Sequence, residues 1–182
     1  MQRQVILLRG INVGAANRLP MPELRAALTD AGFMDVQTYV QSGNIVASHA
    51  ASPAGLAADC EQLIADRFGL SVPVIVRTRD ELAEVIAVNP FPEAAQNDPK
   101  HFQVTFLSGT PDQEALGQLA TLATSDEQFA ALGRQLYAWH PGGIHLSKLA
   151  NKLTPKLLGV DRATARNWTT VTTLLEMATD AD

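Results

Sequence analysis

The residues best suited to chemistry in this 182-residue chain lie in two basic segments near its ends. One is Arg9-Gly10-Ile11-Asn12-Val13-Gly14, with Asn17-Arg18 close behind; the other is Thr164-Ala165-Arg166-Asn167-Trp168. A glycine-containing loop between a strand and a helix can turn several backbone N–H groups toward one point and cradle an anion. Arg9, Asn12, Gly14, Asn17 and Arg18 are the candidates for such a loop. Gln41, Ser42 and Asn44 add polar groups from a tight turn, and Lys148 adds a cation. Arg166 and Asn167 read as the start of the last helix, where the helix dipole favours negative charge. Arginine suits the task because its planar fork binds a carboxylate or phosphate through two hydrogen bonds. The set points to a small phosphate- or carboxylate-bearing ligand in a cleft between two subdomains, with catalysis left open. A plainer reading stands beside it. The glycines serve turns, the asparagines and Gln41 cap backbone groups, and Arg9 and Arg166 bridge to acidic side chains.

Most catalytic templates are missing. There is no Gly-Lys-Ser/Thr phosphate loop and no G-x-G-x-x-G fingerprint. Val40-Gln41-Ser42-Gly43-Asn44 lacks the first glycine of a nucleophile elbow. His49, His101, His140 and His145 form no i, i+4 pair and have no ligand-spaced Cys or carboxylate, so no metal site is expected. Neither basic segment holds the closely spaced carboxylates of a glycosidase. The single cysteine, Cys60, shares a helical stripe with Leu56, Leu63 and Ile64 and reads as a core thiol. No cofactor is implied.

The net charge of −5 is unevenly spread. Residues 1–25 carry +3, residues 26–144 carry −9, residues 145–168 carry +4 and the remainder −3. An acidic chain with two basic patches suits a local anion site better than a broad nucleic-acid surface. Aromatics at 5% and a pI near 5.3 also count against nucleic acid. The run Val5–Leu8 is too short for a signal-peptide core or a membrane span, so a cytoplasmic location without membrane attachment is expected. Oligomeric state is not legible.

Positioning these residues requires a specific order of elements. Val5–Leu8 reads as a buried strand, and 22–31 as a helix with Leu24, Ala27, Leu28 and Ala31 on one face. Segments 36–40 and 45–48 read as a hairpin about Gln41-Ser42-Gly43-Asn44. Ser52-Pro53 opens a helix that ends at Gly69, and 72–77 is a strand with Pro73 at its start or on an edge. The order β-α-β-β-α-β is the split βαβ, or ferredoxin-like, pattern. After a helix at 80–87 and a three-proline crossing loop at 90–99, the pattern begins again. A strand at 101–107 leads to a helix opened by a capping box at Thr110-Pro111-Asp112-Gln113, then to a hairpin about Gly133-Arg134. This second copy reads as incomplete, followed by a helix at 147–158 interrupted at Thr154-Pro155 and a final helix at 167–178. The expected fold class is α+β, with ferredoxin-like subdomains at 1–88 and 89–182.

These segments also resemble a known family. Leu8-Arg9-Gly10-Ile11-Asn12-Val13-Gly14, Asn17-Arg18, Met21-Pro22-Glu23-Leu24 and Thr38-Tyr39-Val40-Gln41-Ser42-Gly43-Asn44 are similar to the N-terminal signature of the domain of unknown function 1697 family. Ser147-Lys148-Leu149 and Ala163-Thr164-Ala165-Arg166-Asn167-Trp168-Thr169-Thr170-Val171 resemble its C-terminal signature. The resemblance implies a small, mostly bacterial, cytoplasmic protein of two α+β subdomains and brings no activity or site residue with it. Ala47 departs from the larger aromatic expected after the hairpin. Two other classes stay open: a nucleic-acid-binding protein, and an interaction or structural module without a ligand.

Overall fold

A computed structural model describes residues 2–15 and 17–179. The chain divides into two compact units, Met1–Glu84 with Thr173–Asp182, and Val85–Thr172.

The first unit is built from β1 (Gln2–Leu8), α1 (Met21–Asp30), β2 (Met34–Tyr39), β3 (Asn44–His49), α2 (Pro53–Phe68) and β4 (Val74–Thr78). The strands form one antiparallel sheet in the order β2-β3-β1-β4. Pro73 falls just before β4, which is an edge strand, where its missing N–H costs no ladder bond. Ile6, Leu8, Ile45, Ala47, Val74 and Val76 meet Leu24 and Leu28 of α1 and Leu56, Cys60 and Ile64 of α2 in one core. Val5, Leu7, Val46 and Ile75 on the other face are buried too. That is why β1 reads as a continuous apolar run and not as an alternation. Ser52 Oγ accepts from Gly55 N at 3.3 Å to cap α2, and Gly69 closes it in the left-handed region.

The linking segment holds α3 (Arg79–Ala87) and α4 (Pro92–Asn97). The three-proline stretch is therefore not structureless. Pro92 stands at the first turn of α4, and Ala94 and Ala95 are buried. The second unit continues with β5 (Phe102–Leu107), α5 (Gln113–Ala120), β6 (Gln128–Leu132), β7 (Gln135–Trp139), a 3-10 turn at Ile144–Leu146, α6 (Lys148–Lys152), α7 (Pro155–Leu158) and β8 (Ala163–Asn167). The expected capping box does not form. Asp112, not Thr110, is the N-cap of α5, and its side chain makes no cap bond. The interruption at Thr154-Pro155 is real, with Thr154 Oγ1 accepting from Leu157 N at 3.3 Å as α7 begins.

The second sheet is also antiparallel, in the order β6-β7-β5-β8. Numbered within each unit, both sheets have the order 2-3-1-4. The fourth strand is β8, a segment that reads from sequence as the approach to the last helix. Its core of Leu107, Leu119, Leu136, Ala138, Leu149, Leu158 and Ala163 uses the broken pair α6 and α7 where the first unit uses α2. The final helix, α8 (Trp168–Thr179), follows β8 without a loop, as α3 follows β4.

Candidate functional site

Among the candidate residues, one group gathers at one end of the first sheet. The chain leaves β1 at Leu8 and enters α1 only at Met21. Between them Gly10, Asn12, Gly14 and Asn17 take left-handed backbone angles, with φ of 70°, 54°, 63° and 50°. Glycine reaches this region freely, and asparagine is among the residues that tolerate it best. Asn12 then staples the loop. Its Nδ2 donates to Leu19 O at 2.9 Å and to Gln41 O at 2.8 Å, and its Oδ1 accepts from Leu19 N at 2.9 Å. Asn17 Nδ2 donates to Gly10 O at 3.1 Å, and Asn12 N donates to Asn17 O at 3.0 Å. These bonds draw Asn17 back against Gly10 and Asn12, with Arg9 and Arg18 next in sequence to the joined residues. Ile11 and Leu19 anchor the loop in the core below.

The β2–β3 turn is fastened to the same loop. Leu8 N donates to Gly43 O at 2.8 Å, and a Cβ on Gly43 would lie 2.6 Å from Leu8 Cβ. No side chain fits there, and the φ of 76° also favours glycine. Asn44 is fully buried and donates through Nδ2 to Tyr39 O at 3.2 Å and Ser42 Oγ at 3.1 Å. Gln41 contributes its carbonyl to the staple while its side chain and Ser42 are exposed. Arg9 is half-buried and Arg18 exposed, and neither side chain makes an ion pair among the described residues.

Lys148, Arg166 and Asn167 belong to the second unit. Lys148 is exposed at the first position of α6. Arg166 is not at a helix start. It is the fourth residue of β8, 9% exposed, donating from Nη1 to Thr164 Oγ1 at 2.7 Å and Ala165 O at 2.8 Å. Burial pushes its pKa down to about 10, which leaves it charged at neutral pH. Arg77, the fourth residue of β4, is its counterpart in the first unit, buried and bonded to the preceding carbonyl, Val76 O, at 3.0 Å. Asn167 ends β8, and its Oδ1 accepts from Thr170 N at 2.9 Å, so its side chain caps α8.

Two polar clusters in the second unit escape a reading by spacing. Glu127, before β6, receives hydrogen bonds from Ser147 Oγ, from His140 Nδ1 at 2.7 Å and from Thr124 N at 2.9 Å. Burial works to raise the Glu127 carboxyl. Hydrogen bonds from Ser147, His140 and Thr124, with attraction to the His140 ring, outweigh it and hold the carboxyl below its usual range. Ser147 Oγ also accepts from Ala150 N at 2.9 Å and so caps α6. In the other cluster, Asp98 accepts from Trp139 Nε1 at 3.0 Å and faces His101 Nδ1 at 3.0 Å. The Trp139 indole, chiefly, holds Asp98 below its usual range. The signal available in sequence was slight: a serine in N-cap position and an aspartate three residues before a histidine.

Cys60 is buried, and burial, joined by repulsion from the charges of Asp59 and Glu61, pushes its thiol up to about 12, which makes it inert as a nucleophile. No cluster of three or more His, Cys, Asp or Glu able to hold a metal occurs among the described residues. Two open depressions, of about 290 Å³ beside Glu23, Asp30 and Arg67 and about 330 Å³ beside Asp112, Glu114 and Leu157, include none of the candidates. No helix is long and apolar enough to cross a membrane among the described residues.

The loop and turn just described fall in the part of the chain, residues 1–137, that matches the family model described as protein of unknown function DUF1697. The chain belongs to this family. Its fold is similar to that of the solved conserved bacterial protein SP0830 from Streptococcus pneumoniae, with a TM-score of 0.76 and 23% identity over 97% of this chain and 98% of that one. This likeness speaks for the fold of a DUF1697 protein and not for an activity. No curated protein matches the chain.

Proposed function

We propose that this DUF1697 protein binds a small phosphate- or carboxylate-bearing anion at the end of its first unit, on the surface made by the β1–α1 loop and the β2–β3 turn. One observation carries the reading: among the described residues Arg9 and Arg18 have no ion-pair partner, and they stand beside a loop that Asn12 and Asn17 lock into shape. Turn and cap duties account for Asn12, Asn17, Gly43 and Asn44. They do not account for two cations at the base of a stapled loop in a chain of net charge −5. A loop fixed before binding loses little further entropy when a ligand arrives, which favours affinity. Gly14 of the loop and Gln41 of the turn are exposed and belong to the two segments that Asn12 joins. Lys148, Arg166 and Asn167 are not needed, and no bond has to be made or broken.

Calorimetric titration with inorganic phosphate, paired with thermal unfolding, tests this. Phosphate at about ten times its Kd should add roughly 1.4 kcal/mol of stability, a rise of about 4 °C for a chain of this size. Arg9→Gln with Arg18→Gln should abolish the rise while Arg166→Ala leaves phosphate affinity intact. An unchanged melting temperature in the wild type, or the same rise in the double variant, would refute the assignment.

A further inference from the structure

The same surface carries two side chains that anion binding does not explain. Val13 is 72% exposed and Val40 is 53% exposed. Val13 follows Asn12 and Val40 precedes Gln41, and the bond of 2.8 Å from Asn12 Nδ2 to Gln41 O fastens those two segments together. Val40 moreover has a φ of 51°, a left-handed conformation in which a β-branched residue is strained. Asparagine or glycine would sit there with less strain. A valine so exposed gains little from burial where it stands, and retained strain of this kind gathers at binding sites.

We infer that the ligand is amphiphilic: a small soluble anion whose phosphate or carboxylate lies toward Arg9 and Arg18 and whose alkyl or aryl substituent covers Val13 and Val40. This rests on the anion-binding reading and adds the substrate class to it. The two cations alone offer salt-screened contacts of modest strength. Covering the valines removes apolar surface from water in proportion to the area hidden, a contribution that salt does not screen. The surface then selects an organic phosphate or carboxylate over the inorganic ion.

The test is calorimetry on the full chain with three probes, inorganic phosphate, butyl phosphate and phenyl phosphate, for the wild type, Val13→Ser and Val40→Asn. Vesicles of phosphatidylcholine containing phosphatidylglycerol form a fourth arm, with light scattering to follow self-association. The wild type should bind butyl phosphate roughly tenfold more tightly than inorganic phosphate, the gain expected from partial burial of four carbons. Both variants should keep their affinity for inorganic phosphate and lose most of that gain. Val40→Asn should also melt at or above the wild-type temperature, since asparagine tolerates the left-handed backbone, and it carries the test alone if Val13→Ser does not fold. Equal affinity for the three probes overturns the inference while leaving anion binding in place; failure of all three removes both. Binding to the vesicles alone, or a dimer that the valine substitutions dissociate, assigns the patch to another occupant and overturns the inference.

Discussion

Gly43 shows how one atom can fix a functional surface. A methyl group there would meet Leu8 Cβ at 2.6 Å and Ile11 Cδ1 at 3.0 Å, and the backbone angle is unfavourable for any side chain. Gly43→Ala is expected to cost about 2 kcal/mol, from overpacking and left-handed strain together, in urea unfolding. Glu127 illustrates the opposite kind of residue, a buried charge held by donors. Its folded pKa is depressed, so its contribution is complete above the unfolded carboxyl value and is lost as pH falls through the folded one. Glu127→Gln should therefore destabilise by about 2 kcal/mol at pH 7, and the gap from wild type should shrink steadily as unfolding is measured below pH 4. The two residues differ in legibility. Gly43 sits in a turn whose composition announces a glycine, whereas Glu127, His140 and Ser147 come from three separate segments and meet only in the fold.

Elements carry a similar contrast. Helix α2 was legible because Ser52, Pro53 and Gly69 mark both its ends, and the hairpin of β6 and β7 because Gly133 marks its turn. Strand β8 was not. Ala163-Thr164-Ala165-Arg166-Asn167 has one β-branched residue and no aromatic, and it becomes a strand because β5 offers it an edge. Helix α4 was hidden by the prolines that flank it, which punctuate as strongly at a helix start as in a loop. The shift of Asn167 from helix residue to cap gives it a measurable duty. Asn167→Ala should cost about 1 kcal/mol and speed amide hydrogen exchange in the first turn of α8, while the rest of the chain exchanges as before.

At the scale of the molecule, the β-α-β-β-α-β pattern occurs twice, with the same strand order and a buried arginine at the fourth position of each fourth strand. Sequence made the first copy plain and the second partial, since the second replaces one long helix with the short α6 and α7. Among the described residues the repeat does not extend to the candidate surface: the stapled, arginine-bearing loop belongs to the first unit, and Arg166 is buried and bonds to Thr164 and Ala165 of its own strand. Most of that surface was visible as a motif, but which of its residues hold the loop and which face outward required the hydrogen bonds. The direct measurement is a backbone amide NMR titration of the wild-type chain with inorganic phosphate. Shifts should concentrate at Gly10, Asn12, Val13, Gly14, Asn17 and Arg18, saturate, and vanish in the Arg9→Gln, Arg18→Gln double variant. Amides of that loop that stay unmoved at saturating phosphate, or shifts that survive in the double variant, would contradict the account.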